Sequence, residues 1–268
     1  MCSVHQLRAS VLKTISALLL ITLLGCRASD ADLRQYRVIR ASQTGYGSKL
    51  TMTYRYDEQG RLATIVDYPD TMASGPTTAQ TTVYYDPAQP THIDHVDRRL
   101  AQPGADADGS LTGTRRVYTY NATGQLSTVS ESKAQADFDH LKSVQTYQYV
   151  YDANGLPATL TITGPAPRYA RDMYSFTFAD GNAALIGLTS TTAYATEPRV
   201  TKSTVRFDGA PNIYRNFFAI YPGITSFNRN NVITENTTHY HDSRGLLIRR
   251  VKTGNYIDEV TTYWYEEY

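Results

Sequence analysis

Residues 54–65 read YRYDEQGRLATI, and the same pattern returns in residues 118–129, YTYNATGQLSTV, and residues 149–160, YVYDANGLPATL. Each stretch has two aromatic residues one position apart, then Asp or Asn, and Gly three residues later. Side chains that alternate in this way are typical of a half-buried strand. Asp or Asn starts a turn by bonding the backbone two residues on, and Gly supplies the positive φ that closes a short loop. The pattern therefore predicts a β-hairpin.

The hairpin pattern recurs along the chain at intervals of 27–35 residues, which is typical of an array of similar structural units. The second aromatic position of the successive copies holds Tyr56, Tyr85, Tyr120, Tyr151, Phe178, Phe207 and His241. The turn glycine, for which we expect positive φ, is present as Gly60, Gly124, Gly155 and Gly245. Seven hairpins predict about fourteen strands in sequential order.

A meander of this length cannot remain flat, because large twisted sheets curl, split or close. We therefore expect residues 34–268 to form a single all-β domain: a large curved antiparallel meander, partly or nearly closed like a flattened barrel. Only residues 213–218 could form a helical turn. The faces opposite the aromatic residues should be in water and not in lipid, since they carry charged and polar side chains. These are Arg55, Thr119, Gln148, Lys202 and Arg206.

The first 26 residues resemble a bacterial lipoprotein signal. Basic residues precede an apolar run, residues 15–24, which is shorter than the about 20 residues that span a bilayer. The run ends in Leu-Leu-Gly-Cys, which resembles a lipobox. We therefore interpret residues 1–25 as a signal peptide, Cys26 as the lipidated first residue and residues 26–33 as a tether. An ordinary secretory signal and a short membrane anchor are the alternatives. Arg27 after the Cys resembles lipoproteins of the outer membrane, so the expected location is the cell envelope, facing the periplasm or the surface.

A second resemblance lies near the end of the chain, where residues 207–235 read FDGAPNIYRNFFAIYPGITSFNRNNVITE. This stretch, the lipobox and the repeated hairpins resemble Bacteroidota lipoproteins that carry a domain of unknown function with a porin-like fold. The matching residues are Pro211, Asn212, Tyr214, Asn230, Asn231 and Val232, whereas Ile213 replaces a second Pro of that family. The hairpin core alone also resembles the YD repeat of Rhs-type proteins. These resemblances imply a curved sheet on a lipid tether and no particular activity.

The composition gives little sign of catalysis. The chain has 26 basic and 25 acidic residues, so its charge favours neither nucleic acid nor anionic lipid as a partner. Its two cysteines are Cys2, which leaves with the signal, and Cys26, so no thiol nucleophile or Cys-based metal site is expected. No serine-hydrolase, phosphate-loop or zinc-protease motif occurs. We therefore expect a protein that is not an enzyme and has no cofactor. A hydrolase whose site is not visible in the sequence is the alternative.

Two pairs of histidines are the candidates for a transition-metal site. His92 and His95 are three residues apart and should point to opposite faces of a strand, whereas His239 and His241 should share a face. The second pair could bind a transition metal together with a carboxylate from a neighbouring strand. Because His241 also fills the aromatic position of the repeat, we favour a structural role and expect no metal site.

Tyrosine is the most distinctive feature of the composition, with 22 Tyr against 7 Phe and 1 Trp. Tyr buries its ring while the hydroxyl remains available to water or a partner. The simpler interpretation is that these rings form cross-strand ladders that stabilise the sheet. The alternative is a face that binds a glycan or an envelope protein, or that acts as a scaffold. Its candidate residues are Tyr54, Tyr56, Tyr118, Tyr120, Tyr149 and Tyr151.

Overall fold

The computed structural model describes residues 36–45, 48–69, 79–106, 109–135, 138–164, 171–191, 197–215, 217, 222–254 and 257–268. Val38–Glu266 form one compact unit, and the described residues on either side of it are assigned to a second. The expected signal peptide, Cys26 and the tether lie outside the described residues.

The described residues form seventeen strands and one short 3₁₀ helix. The strands are β1 (Tyr36–Gly45), β2 (Ser48–Tyr56), β3 (Leu62–Pro69), β4 (Ala79–Tyr85), β5 (Ile93–Asp106), β6 (Gly109–Tyr120), β7 (Leu126–Gln135), β8 (Leu141–Tyr151), β9 (Pro157–Thr163), β10 (Arg171–Ala179), β11 (Asn182–Thr191), β12 (Arg199–Thr204), β13 (Arg206–Pro211), β14 (Asn230–Ile233), β15 (Thr237–His241), β16 (Leu247–Lys252) and β17 (Glu259–Glu267). The 3₁₀ helix is Ile224–Phe227. No helix in this part of the chain is long and apolar enough to cross a membrane.

Fifteen of the strands form one antiparallel sheet, which confirms the predicted all-β meander. From β12 back to β1 the neighbours in the sheet are also neighbours in sequence. The last strand, β17, then lies beside β1 and is followed by β16 and β15. The sheet is not closed into a barrel, and its two end strands are β12 and β15. Strands β13 and β14 form a separate two-stranded sheet.

The hairpins have the turn that the repeat predicts. In the first one, Asp57 Oδ1 accepts hydrogen bonds from the backbone N–H groups of Gln59 (3.0 Å) and Arg61 (2.9 Å). The Gly60 N–H donates to the Asp57 carbonyl (2.9 Å), and Gly60 has φ 78°. Positive φ is confirmed at all four predicted glycines, with values of 76–81°.

Every hairpin of the large sheet that follows the repeat has a register shift where the second strand begins. Two residues of the returning strand oppose one residue of the first strand there, as in a β-bulge. In the first hairpin, Tyr56 pairs with Leu62 while the preceding residue, Arg55, already pairs with Thr64. The bulge keeps Leu62 and Ile65 on the same face as Tyr54 and thereby adds to the core.

Two copies of the repeat form a hairpin but close it with a turn other than Asp-x-x-Gly. After Tyr85 the loop is longer, and the N–H of Asp86 donates to the His92 carbonyl (2.9 Å). After Phe178 the hairpin closes with Asp180 (φ 52°) and Gly181 (φ 78°). Two adjacent residues with positive φ are the requirement of a type I′ turn, for which Asp-Gly is a preferred sequence.

The sixth copy, at Phe207, does not form a tight hairpin. After Phe207 and Asp208 the chain runs from β13 through the 3₁₀ helix before it returns in β14. We call residues 205–233 the seam segment. Buried asparagines hold it to the large sheet at the start of β11, where Asn228 Oδ1 accepts from the Ala183 N–H (2.9 Å) and the Asn182 and Asn230 side chains bond each other (2.8 Å).

The hydrophobic core lies on the face of the large sheet that carries the aromatic residues of the repeats, which we call the inner face. Its members include Tyr54, Ile65, Val96, Val129 and Leu160. Aromatic side chains of the seam segment pack against the same core. The Phe227 ring lies 5.6 Å from that of Tyr149, and the Tyr214 ring lies 6.2 Å from that of Tyr263. The five residues expected in water are all exposed: Arg55, Thr119, Gln148 and Lys202 on the opposite face of the large sheet, and Arg206 on β13 of the two-stranded sheet.

Candidate functional site

Three of the six candidate binding tyrosines lie within the core. Tyr54, Tyr118 and Tyr149 are 3–5% exposed, so their ring faces contact other protein groups. The other three, Tyr56, Tyr120 and Tyr151, are partly buried and pack against the same core. Ligand binding at the six tyrosines stays a prediction, and in this conformation only the partly buried three offer a ring edge to a partner.

The partly buried tyrosines also use their hydroxyl groups within the protein. Tyr56 Oη donates to the Val38 carbonyl (2.7 Å), and Tyr151 Oη donates to the Leu126 carbonyl (2.8 Å). Tyr120 Oη accepts from the Ile93 N–H (2.8 Å). Burial raises the pKa of the Tyr151 hydroxyl to about 12. This hydroxyl therefore remains protonated near neutral pH and is a hydrogen-bond donor and not a base.

A cavity of about 330 Å³ opens on the inner face between β2 and β7. Met52, Tyr54, Ile65 and Val96 form its apolar part. The polar part consists of Asp67, Thr81, Arg98, Thr114, Arg116 and Glu131. We call this cavity the inner-face pocket. It contains one of the predicted tyrosines, Tyr54, but most of its polar side chains come from residues that sequence analysis did not select.

Two ion pairs cross the inner-face pocket, one between the neighbouring strands β6 and β7 and one between β5 and β3, over the intervening β4. Arg116 Nε donates to Glu131 Oε2 (2.6 Å), and Arg98 Nη2 donates to Asp67 Oδ2 (3.1 Å). Burial lowers the pKa of Arg116, but the charge and hydrogen bond of Glu131, together with the nearby hydroxyls of Tyr118 and Tyr147, outweigh it, so the pKa lies above its ordinary value. The pocket thus presents fixed positive and negative groups beside an apolar wall, a combination suited to a neutral ligand with many hydroxyls.

The sequence contains a signal for these charged side chains. Arg116 stands two residues before Tyr118, and residues two apart on a strand share a face. A charged residue in phase with a buried aromatic residue indicates an inward-pointing charge, which must be paired. The partner could not be identified in this way, because Glu131 lies on the next strand, and its register depends on the bulge between Thr119 and Tyr120.

A second cluster lies between the seam segment and β15. His239 Nδ1 lies 2.7 Å from Asp208 Oδ2, and His241 Nε2 lies 3.0 Å from the same oxygen. One ligand atom from each of the three residues can be chosen such that all lie within 4.8 Å of one another. The side chains of His239 and Asp208 are 5% and 6% exposed, whereas that of His241 is 24% exposed. The two histidines share a face, as their spacing predicts, and Asp208 is the carboxylate that the sequence could not identify.

The Asp208 carboxylate is held in place by further hydrogen bonds. The Ala210 N–H donates to Oδ1 (2.9 Å), and Asn231 Nδ2 donates to Oδ2 (3.1 Å). Burial raises the pKa of Asp208, but the hydrogen bonds from His239, Ala210 and Asn231 outweigh it, so the pKa lies below its ordinary value. His239 Nε2 is buried and has no hydrogen-bond partner among the described residues.

The other pair of histidines does not form a cluster. The His92 ring stacks on Tyr120 (3.9 Å between ring centroids), and the His95 ring stacks on Tyr84 (4.2 Å). His95 Nδ1 also lies 2.6 Å from Asp94 Oδ2. The two rings have different partners, as the spacing of three residues predicts.

No protein-family model and no curated protein sequence matches the chain. Among solved structures it is similar to a porin-like protein from Bacteroides uniformis, with a TM-score of 0.50 and 14% identity over 85% of this chain and 96% of that one. It also aligns with a TcdB2-TccC3 structure, at a TM-score of 0.22 and 13% identity over 77% of this chain and 13% of that one, which is too low to indicate a shared fold. At these identities the comparison establishes one point: the chain has a porin-like, all-β fold.

Proposed function

We propose that the protein is a lipid-anchored envelope protein that binds a saccharide in the inner-face pocket and does not convert it. The observation that carries this proposal is the inner-face pocket itself, in which two Arg–carboxylate pairs stand beside an apolar wall. Its volume of about 330 Å³ lies at the lower end of the usual range for ligand pockets, about 300–1,000 Å³.

The envelope location rests on the N-terminal sequence. The apolar run of residues 15–24 ends in Leu23-Leu24 and is followed by Gly25-Cys26. Lipid attachment at Cys26 would tether the sheet to the membrane. The porin-like fold of the neighbour from Bacteroides supports an envelope protein. Arg27 after the Cys favours the outer membrane.

A saccharide suits the chemistry of the inner-face pocket. Sugar hydroxyls both donate and accept hydrogen bonds, so one ring can bond the Glu131 carboxylate and the Arg116 guanidinium together. Met52, which is partly buried, can contact the CH groups of the sugar. Because both ions of each pair are already matched, a neutral ligand adds no uncompensated charge to the pocket.

The lining also favours binding over catalysis. None of the described residues that line it is His, Ser or Cys, and Asp67 and Glu131 are each bonded to a guanidinium. A hydrolase needs a positioned acid and base or an activated nucleophile. Retention of intact ligand is therefore expected, and turnover of a glycan by the purified protein would instead support the hydrolase alternative.

Glycan-array binding and calorimetry test the pocket. The double variant Arg116→Gln/Glu131→Gln removes both charges together and leaves neither ion unpaired, so the fold should be retained while saccharide binding weakens at least about tenfold, the effect of 1.4 kcal/mol. Arg55→Gln on the opposite face is the matched control and should bind like the wild type. Equal binding by the wild type and the double variant would place the site elsewhere, and no glycan binding would leave a protein partner or a scaffolding role.

Labelling with a fatty acid in the producing cell tests the anchor. We expect incorporation into the wild-type chain and none into Cys26→Ala. Label that persists in Cys26→Ala would contradict the assignment without affecting the pocket.

A further inference from the structure

We infer that Asp208, His239 and His241 bind a divalent transition-metal ion at the junction of the seam segment and β15. Both imidazole nitrogens already point at one carboxylate oxygen, at 2.7 and 3.0 Å. Around a tetrahedral ion with bonds of about 2.1 Å, neighbouring ligand atoms are about 3.4 Å apart. The two N···O separations thus need to open by only about 0.4–0.7 Å to admit the ion between them.

The donor set selects the class of metal. Two imidazoles and one carboxylate suit Zn²⁺, Co²⁺, Ni²⁺ or Fe²⁺, whereas Ca²⁺ and Mg²⁺ prefer oxygen ligands throughout. Three protein ligands leave at least one coordination position open. His241, the most exposed of the three side chains at 24%, provides the approach from solvent.

The surroundings of Asp208 are those of an oriented metal ligand. Asn231 Nδ2 donates to the oxygen that faces the histidines, Oδ2, and the Ala210 N–H donates to the other oxygen, Oδ1; contacts of this second-shell type commonly tune metal sites. The buried Nε2 of His239 has no partner among the described residues, so the polar contact that orients this ring is the one to Asp208. If His239 only filled space in the core, its ring nitrogen would not need to face the buried Asp208 carboxylate.

The ion would connect the two-stranded sheet to the large sheet, which share no strand pairing among the described residues. Asp208 lies on β13 of the two-stranded sheet, and both histidines lie on β15, an end strand of the large sheet. A bond from each side would hold the end strand to the seam segment. Metal binding should therefore raise the melting temperature as well as occupy the site.

Titration calorimetry with ZnCl₂ tests this inference, using the purified chain without an affinity tag after treatment with a chelator. We expect one high-affinity Zn²⁺ per chain. Asn231→Ala should weaken it by about tenfold, the effect of losing a second-shell partner, and His239→Gln, His241→Gln or Asp208→Asn should each weaken it further. His95→Gln is the matched control, since it removes an imidazole that bonds a carboxylate outside the cluster, and it should bind Zn²⁺ like the wild type.

A second measurement needs no substitution. Bound Zn²⁺ should protect His241 from modification by diethyl pyrocarbonate, as read by peptide mass, while His95 reacts equally with and without metal. The visible absorption of bound Co²⁺ would report the coordination number. Equal Zn²⁺ affinity in the wild type and Asp208→Asn, or equal modification of His241 with and without Zn²⁺, would overturn the inference and leave the three residues as a hydrogen-bonded cluster.

Discussion

A single hydroxyl group explains why the second aromatic position of the repeat is Tyr in four of its seven copies. The second tyrosine of a hairpin bonds the backbone of the preceding hairpin at its bulge: Tyr85 Oη donates to the Leu62 carbonyl (2.9 Å), and Tyr151 Oη donates to the Leu126 carbonyl (2.8 Å). A bulge disrupts the ladder locally and leaves a backbone group unpaired. The tyrosine of the next hairpin provides the missing partner, so the ring adds to the core and its hydroxyl completes the backbone pairing.

Tyr151→Phe and Tyr149→Phe form a matched pair that tests this role. The first removes the partner of the buried Leu126 carbonyl and should lower the free energy of unfolding by about 1–3 kcal/mol. The second removes a buried hydroxyl that has no hydrogen-bond partner among the described residues, so it should be neutral or stabilising. Denaturant unfolding monitored by circular dichroism measures both. An equal loss in the two variants would show that the hydroxyl bond to Leu126 contributes nothing.

The turn position of the repeat can hold either Asp or Asn because both side chains provide an acceptor oxygen. Asp57 Oδ1 accepts from the N–H groups of Gln59 and Arg61, and Asn121 Oδ1 accepts from those of Thr123 and Gln125 in the same geometry. The turn therefore requires an acceptor oxygen and not a charge. The charge of Asp57 adds a pair with the Arg61 guanidinium at 2.7 Å.

The pH dependence of stability should separate these two contributions. Burial raises the pKa of Asp57, but its hydrogen bonds and the Arg61 charge outweigh it, so the folded-state pKa lies below its ordinary value. The resulting stabilisation is present above about pH 4 and is lost as the pH falls through the folded-state pKa. Asp57→Asn should cost less than about 1 kcal/mol at neutral pH, because the pair is partly exposed, and should lose less stability on acidification than the wild type. Asp57→Ala, which also loses the turn acceptor, should be less stable than Asp57→Asn at neutral pH, and identical acid profiles for wild type and Asp57→Asn would refute the charge contribution.

At the scale of elements, the seam segment is a hairpin of the repeat that has been extended. It keeps the aromatic-Asp start at Phe207, but its turn is replaced by a longer stretch that packs Phe227 against the core. The longer stretch exposes more backbone groups than a tight turn, and buried asparagines satisfy them. Asn212 Nδ2 donates to the carbonyls of Thr225 (2.7 Å) and Asn228 (3.0 Å).

Asn228→Ala tests the attachment of the seam segment. Asn228 is 1% exposed, and its loss leaves the Ala183 N–H without an acceptor, which should cost about 1–3 kcal/mol. Hydrogen exchange at the Ala183 amide should become faster. Asn154→Ala is the matched control, because that side chain is exposed in a turn and should change neither quantity. Unchanged exchange at Ala183 in Asn228→Ala would show that the segment is held by its aromatic side chains alone.

At the scale of the whole sheet, β17 is the strand that makes the large sheet continuous. It lies between β1 and β16, so the last strand of the chain joins the first strand to the C-terminal hairpin. Without it, β1 and β16 would present unpaired backbone groups, which are templates for association with other chains.

Removal of residues 259–268 should therefore produce a protein that self-associates or precipitates, as measured by light scattering and size-exclusion chromatography. Removal of Tyr268 alone, a residue beyond the end of β17, is the control and should leave the protein unchanged. A monomeric, fully folded product after the larger deletion would show that the sheet does not depend on this strand.

The hairpins, their faces and the positive φ of Gly60 and its equivalents could be predicted from the sequence. They depend on the alternation of side chains along a strand and on hydrogen bonds between residues two to four positions apart, both of which are local. The Asp180-Gly181 turn could also be predicted, because Asp-Gly between apolar runs is a strong hairpin signal. The repeat pattern, however, places Ala179 and not Asp180 at the turn position. The lipid anchor at Cys26 likewise rests on local sequence and stays a prediction.

The position of β17 beside β1, the pocket and the Asp208 cluster were decided by the tertiary structure alone. Asp208 is 31 residues from His239 in sequence, and the two meet only because the extended sixth repeat places β13 next to β15. Arg116 and Glu131 meet only in the register that the bulge sets between β6 and β7. Such contacts depend on how far the sheet curves and on which strands become its ends, quantities that sum over many strands and that no short stretch of sequence specifies.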